Sequence, residues 1–371
     1  MKAMKLICLA GLFLLGLSLV QADAPGSHDD SFTKEGLFKA DVAKLTDTQL
    51  VVSPDLPLAG GTNMLWCGTL QLAWNEAENL VGEKLRFTTP SPAADLLNRS
   101  DFTRRDLAPG SYVALADFER NHVEDEIRAA LERTFHGAAS PELIPNVPPN
   151  PGPYDFVAYA YLYKNLAFAH PFKDQPLLFA DHPVEGFGFG TEENDGMITG
   201  QAEVYDFQTP DDFIVSLKTQ SPQDELILAK VSPGATLQAT IQEVLNRMAH
   251  HAPEVAGGAD VLAVPKLNFD LRRDFPELEG LILDPSPAAK IKSKLVVAKA
   301  EQLVRFQLNE KGAILKSEAV IAMLALAIRE RYRMIFDKPF LILLKEKESP
   351  RPYFALWVGN ATLLVPAKKQ P

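Results

Sequence analysis

Cysteine is almost missing from this 371-residue chain, which has only Cys8 and Cys67. Cys8 lies in a leader segment, so Cys67 is left alone and no intramolecular disulfide can form; the core must hold the fold. There is no apolar run long enough to span a bilayer. The longest, Leu6–Val20, falls short of the ~20 residues a spanning helix needs. There is no Gly-x-Ser-x-Gly elbow, Walker A loop or His-Glu-x-x-His motif, which removes the common nucleophile, nucleotide and zinc-hydrolase readings. Positive charge is also scarce. At a formal net charge of -11, the chain has no electrostatic reason to bind nucleic acid or anionic lipid. No Gly/Ser linker, charge run or internal repeat divides it.

Met1–Ala22 has the parts of a secretory signal peptide. Lys2 and Lys5 give a charged start, Leu6–Val20 an apolar core, and Val20-Gln21-Ala22 a small-residue cleavage site. Cys8 is not in a lipoprotein-like setting. Cleavage would leave a secreted or periplasmic protein starting at Asp23, with the charge moved to -13 by loss of Lys2 and Lys5. Residues 23–33 are polar and read as disordered. Residues 34–371 read as a single domain, and 46% apolar residues supply a large core.

The pattern along the chain is mixed α+β with mainly non-local strands. Helices are expected at Asn63–Glu83, at Asn121–Phe135 with Asn121 as cap and Glu124, Asp125 and Glu126 in the first turn, and at Leu237–Ala249. Six prolines between Pro141 and Pro153 mark an extended crossing segment. Strands are expected at Tyr112–Ala116, through the aromatic run Tyr154–Phe168 with both faces covered, at Val184–Gly190, in three runs between 201 and 231, and at Val261–Phe269. Gly186, Gly188 and Gly190 alternate with Phe187 and Phe189; no helix follows them, so they read as a strand or turn and not as a phosphate cradle.

Other candidates for chemistry are weak. His250 and His251 with Glu254 read as a surface pair and not a metal site. His122 and Glu126 read as a solvated helix pair. Cys67 reads as a small buried residue of the first helix. The sequons Asn98-Arg-Ser100 and Asn360-Ala-Thr362 matter only in a glycosylating host.

The most informative stretch lies near the C-terminus. Val304, Phe306 and Leu308 alternate as a half-buried strand and run into Asn309-Glu310-Lys311-Gly312, where glycine frees the backbone. The chain returns as Met334-Ile335-Phe336, a strand-like Phe336-Asp-Lys-Pro-Phe340, Leu341–Leu344 and Tyr353–Gly359. This order resembles the serpin family over about residues 120–366. The helix ending at Phe135 and its proline return look like the helix crossing the main sheet. Tyr154–Phe172 looks like a central strand. Val264-Pro265-Lys266-Leu267, with Leu278-Glu-Gly280 after it, is similar to the family's Leu-Pro-Lys-Phe strand and the Leu-Gly beyond. Val297–Gly312 resembles the strand that feeds the reactive loop, and Phe336–Phe340 with Phe354–Gly359 resembles the closing strands. The asparagine and tryptophan that the family has near Tyr159 and Phe168 are absent, and its His-Lys pair reads Gln302-Leu303.

The resemblance implies a serpin-like α+β fold: a large central mixed sheet, a second sheet, covering helices and a C-terminal strand pair. It implies no cofactor, no metal and no catalytic residue, because such a protein inhibits by being cut. The partner implied is a serine (or cysteine) endopeptidase, chymotrypsin-like or elastase-like. The hinge would be Glu310, Lys311, Gly312, Ala313, Ile314 and Leu315. Counting Gly312 as the fifteenth residue before the cleaved bond places that bond at Leu326–Ala327. If Ala313 is the first inward residue of an inserted strand, Lys316 and Glu318 both face outward and insertion buries no charge. Ile314 and Leu315 are bulkier than the family's hinge residues, which would slow insertion. The alternative is a non-inhibitory binding or structural protein whose loop is packed, with Ser317–Arg333 an ordinary helix ending in Arg329, Arg331 and Arg333.

Overall fold

A run of apolar residues need not stay in one element, and two runs in this chain divide. The computed structural model describes residues 36–138, 141–143, 151–190, 195–312 and 332–368, all within one compact unit. In the first half, β1 (Phe38–Asp41), β2 (Thr48–Leu50) and β3 (Asn63–Cys67) lead to α1 (Thr69–Val81) and α2 (Pro92–Arg99). Then come β4 (Tyr112–Phe118), α3 (Val123–Phe135), β5 (Phe156–Leu162), β6 (Lys173–Asp174), β7 (Leu177–Phe179), β8 (His182–Val184) and β9 (Gly186–Phe189). In the second half, α4 (Gly196–Thr199) precedes β10 (Ala202–Thr209), β11 (Asp212–Leu217) and β12 (Asp224–Lys230). They are followed by α5 (Leu237–His250), β13 (Glu254–Val255), β14 (Val261–Pro265), β15 (Leu267–Asp274), β16 (Glu301–Leu308), β17 (Arg333–Ile335), β18 (Phe340–Glu346) and β19 (Pro352–Val358).

The largest sheet has eight strands in the order β13-β10-β11-β12-β18-β19-β3-β2, antiparallel except for the β2–β3 pair. The C-terminal pair β18–β19 sits inside this sheet, and every residue of both strands is buried. Continuous apolar sequence (Phe340-Leu-Ile-Leu-Leu344) is what a strand covered on both faces requires. A four-stranded sheet runs β17-β14-β9-β6, and a three-stranded one β1-β15-β16. Strands β4 and β5 pair only with each other among the described residues. The α+β class with one large mixed sheet agrees with the sequence reading.

Two expected elements divide at a break. The helix expected at Asn63–Glu83 begins only at Thr69, and Asn63–Cys67 is a fully buried strand of the large sheet. Gly68 ends that strand where a Cβ would lie 2.3 Å from the Phe102 ring. Cys67 is therefore the last residue of a strand and not part of the helix; it is buried, and burial pushes its thiol up. Likewise Val261–Phe269 is two strands in two sheets, parted at Lys266. The helix expected from Asn121 begins at Val123, because Asn121 spends its amide on the Asp117 carboxylate and His122 turns the chain in a left-handed conformation.

The aromatic strand β5 is covered on both faces, but its residues are mostly half-buried. Tyr159, with Val157, Tyr161 and Tyr163, packs under α3 with Val123, Ile127, Leu131 and Phe135. The alternate residues Phe156, Ala158, Ala160 and Leu162 face the main core, where α1 lies against both β4 and β5. Helix α3 thus covers the two-stranded β4–β5 layer, whereas the resemblance implies a helix across the main sheet; β4 and β5 form no ladder with the eight-stranded sheet among the described residues. In the three-stranded sheet, Lys39 of β1 and Arg305 of β16 are the register partners of Asp270 on β15. Both cations reach that carboxylate, at 3.1 and 2.8 Å, and Glu142 beyond α3 reaches Arg305 at 2.6 Å.

Both sequons are structurally committed. Asn98 accepts from the Trp74 indole and donates to the Leu85 carbonyl. Asn360 donates to the Asp47 and Gly61 carbonyls and accepts from Asn63 and the Thr362 amide. Phe336–Pro339 is a connection and not a strand, and Arg333 opens β17 instead of closing a helix. His250 and His251 are exposed at the end of α5, each Nδ1 at the carbonyl four residues back. No group that could hold a metal occurs among the described residues.

The β7–β8 hairpin carries a strained turn. Ala180 and Asp181 both have positive φ, 44° and 67°, the geometry of a two-residue turn that favours glycine. Ala180→Gly keeps the amide that donates to the Asp337 carbonyl and relieves the Cβ. Unfolding by denaturant should show a gain of about 0.5–1 kcal/mol, the relief of left-handed strain offset by a more flexible unfolded chain. A loss would show that the turn is not strained.

Candidate functional site: the exit of strand β16

The site starts with the end of a strand. After Leu308, Asn309 folds the chain: its side chain accepts from the Lys311 amide at 3.0 Å, and its carbonyl accepts from Gly312 at 3.2 Å. Gly312 has φ +64°, and a Cβ there would lie 2.3 Å from the Phe168 nitrogen and 2.6 Å from the Leu166 oxygen. Only glycine fits. The reason is a close pass of the segment beyond β5. Phe168 N–H donates to the Lys311 carbonyl at 3.1 Å, and Phe172 N–H donates to the Glu310 carbonyl at 2.7 Å.

Below this contact lies an aromatic cluster. Phe168 meets Phe172 edge-on at 4.9 Å, and both meet Phe187 at 5.9 and 5.7 Å. Phe189 lies 6.3 Å from Phe172. All four are buried, each contributing about 1.5–3 kcal/mol of burial plus a smaller ring-pair increment. This explains the Gly-Phe alternation of β9. A Cβ on Gly188 would lie 1.9 Å from the Leu262 oxygen, and one on Gly186 would lie 2.4 Å from the Gln175 oxygen. The backbone is packed there, and the phenylalanines fill the side that supports the strand exit.

Glu310 is fixed by charge. Lys266 Nζ lies 2.6 Å from its carboxylate and 2.6 Å from that of Asp174. Burial acts to lower the Lys266 pKa, but hydrogen bonds and charge from Asp174 and Glu310 outweigh it and raise the value. Lys266 also stands at the join of β14 and β15, where its amide donates to Glu185 and its carbonyl accepts from Val365.

The chain returns at the other end of the same strand. Tyr332 N–H donates to Asp260 at 2.9 Å, its hydroxyl donates to Glu254 at 3.2 Å, and β17 pairs parallel with β14. The two points that bracket residues 313–331 are therefore held at opposite ends of β14, by Asp260 and by Lys266. That is a span of about 20 Å at the usual strand rise. Beyond β17, Lys230 is only 3% exposed. It donates to the Pro210 and Ile335 carbonyls at 3.0 Å and pairs with Asp211 and Asp337.

Of the hinge residues expected from sequence, Glu310, Lys311 and Gly312 lie in this site. Ala313, Ile314 and Leu315, the bond Leu326–Ala327 and the leader Met1–Ala22 lie outside the described residues. Sequence reasoning missed Asp174, Lys266, Phe168 and Phe172 as supports. The available signal was a lysine interrupting the otherwise apolar run Val261–Leu267.

No family model and no curated protein sequence matches this chain. Among solved structures it is similar to serpins. Thyroxine-binding globulin in complex with thyroxine aligns at 15% identity with a TM-score of 0.41, over 65% of this chain and 65% of that one. This chain thus spans just under two thirds of that protein's length. Serpin48 of the insect Tenebrio molitor aligns at 15% identity with a TM-score of 0.45, over 82% of this chain and 92% of that one. Serpin-12 of Manduca sexta aligns at 14% identity with a TM-score of 0.38, over 65% of each chain. No helix among the described residues is long and apolar enough to cross a membrane.

Two outcomes test the site. Gly312→Ala should cost about 1–3 kcal/mol in denaturant unfolding, because a Cβ must displace backbone at a positive φ; a neutral result would mean that Leu166–Phe168 moves away freely. Hydrogen bonds from Lys230 and Lys338, opposed by burial, hold Asp211 down at about 2. Its folded pKa is below the unfolded value of about 3.9, so its contribution is complete above about pH 4 and is lost as pH falls through about 2. Asp211→Asn should flatten the decline of stability in that window. The effect should shrink in salt, because the carboxylate is 57% exposed.

Proposed function

We propose that this chain is an exported serpin-like protein that inhibits a serine (or cysteine) endopeptidase through residues 313–331, cut near Leu326–Ala327. The observation that carries this reading is the bracketing of those residues between the Gly312 exit, locked by Lys266 and Phe168, and the Tyr332 return, held by Asp260. A bait segment needs ends that stay fixed while its middle enters a protease cleft. It also needs a place to go once cut. Strands β5 and β16 are in separate sheets among the described residues, and both lie against α1. An extended segment leaving Gly312 could turn back beside β16 and gain ladder hydrogen bonds. Lys316 and Glu318 would then share the outward face.

The chemistry is supplied by the protease, which forms an acyl bond to the residue before the cut. This chain contributes position: a rigid exit, a rigid return and a strand slot. A second reading is favoured by Ile314 and Leu315. Their bulk would slow insertion until the protease deacylates, leaving a substrate or a non-inhibitory binding protein.

Limited proteolysis with a chymotrypsin-like enzyme, followed by thermal melting and a denaturing gel, separates these readings. An inhibitor gives an SDS-resistant complex. Its cut form melts tens of degrees higher, at roughly 2 °C per kcal/mol for a chain of this size. Higher stability without a complex indicates the substrate form. A cut that leaves the melting temperature unchanged or lower overturns the inhibitor reading.

A further inference from the structure

The β4–β5 layer has no ladder to any other sheet among the described residues, yet the segment leaving β5 is the one that contacts the β16 exit. A small polar cluster links this layer to the large sheet. Lys164, two residues past β5, is 10% exposed at its side chain and pairs with Asp224 at 2.9 Å and with Glu346. Its ammonium also lies 5.1 Å from the centre of the Tyr353 ring. Asp224 and Glu346 are register partners at the ends of β12 and β18.

Two carboxylates share one ammonium, and each accepts further hydrogen bonds. Asp224 accepts from the Tyr353 hydroxyl at 3.0 Å and from the Ser221 hydroxyl at 2.6 Å. Glu346 accepts from the Ala108 N–H at 3.0 Å. Ala108 stands just before β4, and Ser111 accepts from Tyr163 at 3.0 Å. The entry to β4 and the exit from β5 are thus fastened to the same carboxylate. Beyond Lys164, Gln220 holds the Ala167 and Phe168 carbonyls at 2.6 and 3.1 Å. Phe168 is the residue whose amide meets Lys311.

We propose that Glu346, with Asp224 and Lys164, is the pivot that positions the β4–β5 layer against the β16 exit. Packing on α1 and α3 is non-directional and lets the layer slide. The charged cluster is directional and sets where the layer stops. Loosening it frees the Phe168 and Phe172 contacts at Lys311 and Glu310 without unfolding the large sheet. The inference does not depend on residues 313–331 meeting a protease, so the proteolysis experiment can fail while this one succeeds.

The test is hydrogen exchange on the full chain carrying Lys164→Met, Asp224→Asn and Glu346→Gln together. This set removes all three charges, leaves no orphan and keeps acceptors for Tyr353, Ser221 and Ala108. The amides of Tyr163, Phe168 and Phe172 should exchange about tenfold faster or more, while those of Ile342 and Leu356 change less than about twofold. Equal acceleration at all five amides would reduce the cluster to general stability and overturn the pivot, as would no change at the first three. If the triple variant does not fold, Glu346→Gln alone is read the same way. About a threefold increase confined to Tyr163, Phe168 and Phe172 supports the pivot, and no increase overturns it.

Discussion

One lysine side chain organises the region of interest. Lys266 interrupts an apolar run, and at that point the backbone leaves one sheet and enters another. Without the interruption, Val261–Leu271 could continue as one strand. With it, β14 can anchor the return at Tyr332 while β15 pairs with the strand that leads to Gly312. The ammonium is also the counter-charge for Glu310, so the bend and the strand exit are fixed by the same group. Desolvation works against this arrangement, and hydrogen bonds and charge from Asp174 and Glu310 together outweigh it.

The same device recurs where layers meet. Lys230 ties β12 to the connection after β17, and Lys164 ties the β5 exit to β12 and β18. Asp270 gathers Lys39 and Arg305 across three strands. Buried ion pairs contribute little net stability compared with apolar residues of the same volume. Their value here lies in direction. Apolar faces adhere in many registers, and a carboxylate with an ammonium accepts few. With no disulfide among the described residues, a protein assembled from several small sheets and a large one obtains its relative placements from such pairs.

Much of the fold was legible because strand periods are local. β10–β12, β16, β18 and β19 follow from alternation or from continuous apolar runs, and the glycine at 312 reads directly as a strand-exit residue. Two kinds of feature were hidden. Gly68 and Lys266 each divide a run whose hydrophobicity does not change, so Asn63–Cys67 merged with a helix and Val261–Phe269 became one strand. The supports of the site, Phe168, Phe172 and Asp174, lie well over a hundred residues before Gly312, and no local pattern links them to it. His122 and Ala180 adopt positive φ without being glycine, a tertiary demand that propensity does not show.

The position of β18 and β19 also constrains how the chain can be made. They sit between β12 and β3 in the large sheet, yet they are synthesised after everything they join. Until residues 340–358 emerge, β10–β12 ends in one bare edge and β3 in another, each offering unpaired amides and carbonyls. The growing chain therefore has no closed main sheet and cannot fold from its front end backward. Two sticky half-sheets must be kept apart until a late apolar hairpin bridges them. This delay sets an interval in which the main sheet stays open. The same delay makes that interval the one in which strand edges from two copies can find each other.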